Sequence, residues 1–100
     1  MMKRLTLFAA LAIFAALAHA TPAAAQCYAD YQAGRGNPLQ LHYGVIQLPD
    51  SACGDSAAAQ RYISGRIGND GWRLLRVIST FGPDGLARRR GDAGAFFLRY

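Results

Sequence analysis

The sequence predicts an α+β domain of ββαββ order: a four-stranded antiparallel sheet with one helix packed on one face. Three observations carry this prediction. Strand-like runs flank a turn cluster at 34–38, an apolar residue recurs every fourth position through Ala59, Ile63 and Ile67, and two further alternating runs occupy 72–81 and 95–100.

Ahead of these elements stands a leader. Lys3 and Arg4 precede the apolar run Leu5 to Leu17, and two small-x-small sites follow, Ala18-His19-Ala20 and Ala23-Ala24-Ala25. The run falls short of the roughly 20 residues a membrane-spanning helix needs. Residues 1–25 therefore read as a cleavable secretory signal, cut after Ala20 or Ala25, and 26–100 as a single small domain, periplasmic or secreted. Acylation at Cys27 would want a small residue before it, and Gln26 is not small.

Beyond the leader, nine arginines (35, 61, 66, 73, 76, 88, 89, 90, 99) face six aspartates (30, 50, 55, 70, 84, 92), a net charge of +3 without lysine or glutamate. So mild an excess does not mark a nucleic-acid binder. A domain this short buries little apolar surface and gains from a staple. In an oxidising compartment Cys27 and Cys53 read as a disulfide rather than as free thiols or metal ligands. Closing that loop stabilises by about 3 kcal/mol in the chain-entropy model. The pair is not Cys-x-x-Cys, so thiol-disulfide catalysis has no support.

Cys27 to Ala33 is a short strand-like run, and Gly34-Arg35-Gly36-Asn37-Pro38 is a dense turn signal. In 39–48 the residues Leu39, Leu41 and Tyr43 alternate. Gly44 reads as a bulge that brings Ile46 and Leu48 back onto the same face. Pro49 ends the strand. A helix capped by Ser51 or Asp55 runs to Asn69, with Ala57-Ala58-Ala59 favouring it and Asn69-Asp70-Gly71 stopping it. In the third strand Trp72, Leu74, Arg76, Ile78 and Thr80 are expected on one face and Arg73, Leu75, Val77, Ser79 and Phe81 on the other. Gly82-Pro83-Asp84-Gly85 breaks it, an arginine loop follows, and Ala95 to Tyr100 reads as the last strand. One helix covers one face, so apolar residues on the other must meet water, a partner chain or a ligand. Trp72, Leu74 and Ile78 are the expected interface residues.

Gly71-Trp72-Arg73-Leu74-Leu75-Arg76-Val77 and Phe96-Phe97-Leu98-Arg99 resemble a widespread family of small uncharacterised domains. Those domains end a helix with Gly-Trp-Glu-Leu-Val-x-Val and finish on a Tyr/Phe-rich strand closed by a basic residue. Arg73 stands where the family usually carries an acidic residue. The resemblance covers the C-terminal half and implies the fold; the family has no assigned activity.

Chemistry is sparse. His42 is the lone histidine after the leader and the natural candidate for a general base near neutral pH, yet it lies mid-strand with no nucleophile elbow in the sequence. Ser51, His42 and Asp50 form a trio of the kind most chains offer. Asp30 and Asp50 are the one carboxylate pair on adjoining strands. Cys27, Cys53 and His42 could converge on a metal only if the thiols were reduced. No cofactor loop is present, since Gly34-Arg35-Gly36 opens no strand-loop-helix unit. Arg88-Arg89-Arg90 is the strongest charged feature, a candidate contact for an anionic membrane surface or acidic protein. The expectation is a non-catalytic protein-interaction module or homodimer, without nucleic acid as partner. A weak anionic-surface binder and a small hydrolase centred on His42 are the alternatives.

Overall fold

The computed structural model describes residues 26–100; the leader expected at 1–25 lies outside them. Strand β1 (Cys27–Arg35) pairs antiparallel with β2 (Gln40–Leu48) on one side and with β3 (Arg73–Phe81) on the other, giving the order β2-β1-β3. Helix α1 (Ser56–Gly68) crosses one face, and a short helix α2 (Arg90–Ala93) lies in the C-terminal segment. The sheet thus has three strands, not the expected four.

The β1–β2 ladder runs from Cys27↔Leu48 to Arg35↔Gln40 without a register shift, so Gly44 is not a bulge. The glycine serves a different need. A Cβ there would lie 2.5 Å from the Tyr31 ring, which packs across it from the neighbouring strand. His42, Gly44, Ile46 and Leu48 share the helix face with Ala29, Tyr31 and Ala33, while Leu41, Tyr43 and Val45 point to the far face.

In β3 the expected alternation fails. The β1–β3 register skips Ile78 between Asp30↔Ser79 and Tyr31↔Val77, and skips Leu75 between Gln32↔Arg76 and Ala33↔Leu74. Two bulges therefore re-phase the strand. Leu74, Val77 and Thr80 fall on the helix face, and Arg73, Arg76, Ser79 and Phe81 on the far face.

Helix α1 starts where the Asp55 carboxylate accepts from the Ala58 N–H at 3.0 Å and ends before Gly71, whose φ is +80°. Ala59, Ile63 and Ile67 are its buried stripe, as their spacing predicts, set against Ala29, Tyr31, Ala33, Ile46 and Leu48. The Cys27–Cys53 disulfide, with 6.1 Å between Cα atoms, joins the start of β1 to the segment entering α1. A disulfide-bonded α+β domain is what the sequence leads one to expect.

The expected fourth strand is instead a strap. After β3 the chain makes short 3-10 turns at Pro83–Gly85 and Ala87–Arg89, then α2, then another turn at Gly94–Phe96. Gly94 and Leu98 both adopt left-handed φ, +52° and +54°, and leave Phe97 with one parallel bridge to Val45 in place of a ladder. Leu98 donates its N–H to the Val45 carbonyl at 2.8 Å. Arg89 sits on the far face beside Asp30, whereas Phe96 stacks on His42 on the helix face. The strap thus passes around the β2 edge from one face to the other. It runs there because a carboxylate buried in the central strand requires a cation, and Arg89 supplies it.

Candidate functional site

On the far face, cross-strand partners form four rows. Tyr28 lies with Gln47 and Phe81, Asp30 with Val45 and Ser79, Gln32 with Tyr43 and Arg76, and Gly34 with Leu41 and Arg73. The strap covers the first two rows, and Tyr28, Asp30 and Val45 are buried. The last two rows are open.

Asp30 anchors the covered half. Its Oδ1 accepts from the Ser79 hydroxyl at 2.7 Å, and its Oδ2 accepts from the Tyr43 hydroxyl at 2.8 Å and from Arg89 Nε at 3.0 Å. Burial opposes the carboxylate charge, but these three hydrogen bonds and the guanidinium outweigh it and hold Asp30 below the usual carboxylate range. Burial and the bond to Asp30 push Tyr43 up to about 12. Arg89 also donates to the Gly85 carbonyl at 2.7 Å and lies 3.8 Å over the Phe81 ring. The arginine loop expected from the sequence is therefore a set of helical turns. Arg89 is engaged in the fold, Arg90 lies over Phe97, and Arg88 is exposed.

The open half has a different character. Leu39, Leu41 and Leu75 are 58%, 65% and 45% exposed and converge on Gly34: a Cβ there would stand 3.2 to 3.4 Å from all three side chains. Arg73 and Arg76 flank them, Arg76 donating from Nε to Gln32 Oε1 at 3.0 Å. The cavity among Gln32, Leu41, Tyr43 and Leu75 measures about 190 Å³, less than the roughly 300–1,000 Å³ of a small-molecule pocket. The leucines thus make a surface rather than a cleft. Sequence reasoning misses it because Leu39 and Leu41 read as ordinary strand residues. The signal is Gly34 opposite Leu41, since a glycine gives no cover to its neighbours.

The expected interface residues do not form one surface. Trp72 is buried, its ring 4.0 Å beneath the Arg35 guanidinium; Leu74 packs half-buried against the core; Ile78, a bulge residue, is exposed. His42, only 8% exposed, stacks on Phe96 at 3.7 Å, meets Trp72 edge-on at 4.2 Å and pairs Nε2 with the Tyr31 hydroxyl at 3.0 Å. Its Nδ1 is buried without a partner. Burial, then the Arg35 and Arg99 charges, push His42 down to about 4, and burial pushes Tyr31 up. A neutral imidazole enclosed by aromatic rings is a core residue. Asp50 and Ser51 lie beyond Leu48, at the opposite end of β2 from His42, so the Ser-His-Asp trio is not assembled. Asp30 is likewise committed to Arg89 rather than facing Asp50. The two cysteines are bonded to each other, and among the described residues no three His, Cys, Asp or Glu side chains come together as a metal site.

A groove of about 350 Å³ lies on the helix side between Tyr62, Arg66, Leu98 and Tyr100, but Arg66 is occupied by the Tyr100 carbonyl at 2.6 Å. The Tyr100 hydroxyl donates to Asp70 Oδ2 at 2.8 Å. These contacts close the strap onto the end of α1.

No family model, no curated protein and no solved structure matches this chain, so the likeness of Gly71–Val77 and Phe96–Arg99 to the small-domain family rests on those residues alone.

Proposed function

We propose that this chain is an exported, non-catalytic interaction module that docks a partner on the open half of its far sheet face. The observation that carries the reading is the convergence of three exposed leucines on Gly34, beside a strap that covers the other half of the same face. Contiguous exposed apolar surface of this kind marks interaction sites in soluble domains. The disulfide accords with an oxidising compartment. The enclosure of His42 removes the one histidine among the described residues from acid–base work near neutral pH.

The experiment is site-specific photo-crosslinking in producing cells, with the photoreactive residue at position 41 and, as a control, at Ala57 on the exposed side of α1. A defined adduct, to a polypeptide or to lipid, is expected from position 41 alone, and it disappears in the Leu39→Ser/Leu75→Ser background. No adduct from position 41, or the same adducts from both positions, overturns the reading.

A further inference from the structure

Resting on that docking reading, we infer that the partner of the open half-face is an anionic lipid surface, which Leu39, Leu41 and Leu75 enter while Arg73 and Arg76 meet the headgroup phosphates. The rows of the far face place these groups together. Leu41, Gly34 and Arg73 form one row, Tyr43, Gln32 and Arg76 the next, and Leu39 and Leu75 close over Gly34.

Charge selects the partner. The uncovered rows hold two arginines and no carboxylate; the one acid of the far face, Asp30, lies a row further on and is bonded to Arg89. A second copy of the chain packed face to face would bury Arg73 and Arg76 in an interface whose uncovered rows hold no carboxylate to neutralise them, so self-association through this surface is disfavoured. The distribution is also polar along the sheet. Asp50 and Asp55 follow β2, and Asp84 follows β3, all at the end away from the β1–β2 turn. At the turn end, the Asp70 carboxylate accepts from Tyr100. An extended anionic plane therefore attracts the leucine end more strongly than the other, where Asp50, Asp55 and Asp84 outnumber the exposed Arg88, and this orients the molecule.

Shape favours a lipid surface over a polypeptide. The leucines stand beside the β1–β2 turn and are about half exposed or more, so they project from the end of the sheet instead of lining a deep cleft. Protruding aliphatic groups beside arginines, whose stems lie along apolar surface while their heads stay at the phosphate level, suit an interfacial layer.

The test is co-sedimentation of the disulfide-bonded protein with vesicles of phosphatidylcholine alone or mixed with phosphatidylglycerol, at low and high salt. Binding to the mixed vesicles is expected, reduced by salt, with little to phosphatidylcholine alone. Arg73→Gln/Arg76→Gln should weaken it by more than tenfold, at about fivefold per arginine. Leu39→Ser/Leu41→Ser/Leu75→Ser should abolish it, and Arg88→Gln should leave it nearly unchanged. All five side chains are exposed, so unfolding midpoints of these variants report that the fold is intact. Equal binding to both vesicle types, no binding, or an unaltered double-arginine variant overturns the lipid assignment. A polypeptide adduct from position 41 without vesicle binding overturns it and leaves the docking reading standing, whereas neither adduct nor vesicle binding sinks both.

Discussion

Arg89 reaches Asp30 across 59 positions of chain, Nε to Oδ2 at 3.0 Å, and this contact ties the C-terminal strap to the central strand. Both side chains are largely shielded, so neither can be removed without leaving the other's charge in poor company.

Arg89→Ala is expected to destabilise the protein by about 3 kcal/mol, the cost of stranding a buried carboxylate. Arg88→Ala, one residue earlier and exposed, should change stability by less than about 0.5 kcal/mol. Urea unfolding of the two variants side by side measures the difference. Equal effects would mean that the triplet acts as a solvated run.

Stability should fall with acid in two stages. His42 has its pKa lowered to about 4 in the fold, so between its unfolded value near 6.5 and 4 the unfolded chain binds more protons than the folded one, and stability drops as pH falls through that window. Asp30, held below the usual carboxylate range, adds its loss only as pH falls further. His42→Phe should flatten the first stage and leave the second, as read from urea midpoints across pH.

Two glycine substitutions should act in opposite directions. Gly44→Ala drives a methyl group to within 2.5 Å of the Tyr31 ring, which is itself held by His42, and should cost about 2 kcal/mol or more. Gly65 lies inside α1, and a methyl group added there would meet nothing within 4 Å, so Gly65→Ala should raise stability by up to about 1 kcal/mol. Thermal midpoints decide both.

Reduction of Cys27–Cys53, or the double change Cys27→Ala/Cys53→Ala, should cost about 3 kcal/mol for a loop of this length. Denaturant midpoints with and without reductant give the value.

The helix, the hairpin and the disulfide are legible because each depends on neighbours in sequence: a cap at Asp55, a stripe at every fourth residue, a turn cluster at 34–38, an even pair of cysteines. What escapes depends on contacts across the chain. The alternation in β3 looks regular, yet two bulges displace Leu75 and Ile78, and bulges leave no mark in residue type. Gly44 does mark something, but a ring seated across the strand rather than an extra residue. The run from Ala95 to Tyr100 has strand composition; its path is set by a long-range ion pair and by left-handed backbone at Gly94 and Leu98. Likewise, the engagement of Arg89 requires knowing that Asp30 lies inside, and the open leucines require knowing where the strap stops.

That strap has a second effect. A sheet of three strands has two borders with unused backbone hydrogen-bonding groups, either of which can recruit another chain and begin a fibril. Here Phe97 and Leu98 lie along β2, while the paired bulges twist β3 out of the flat geometry that templating needs. A chain shortened after Gly94 would uncover the β2 border, so the aromatic C-terminal residues guard that border against strand-by-strand polymerisation as well as completing the core.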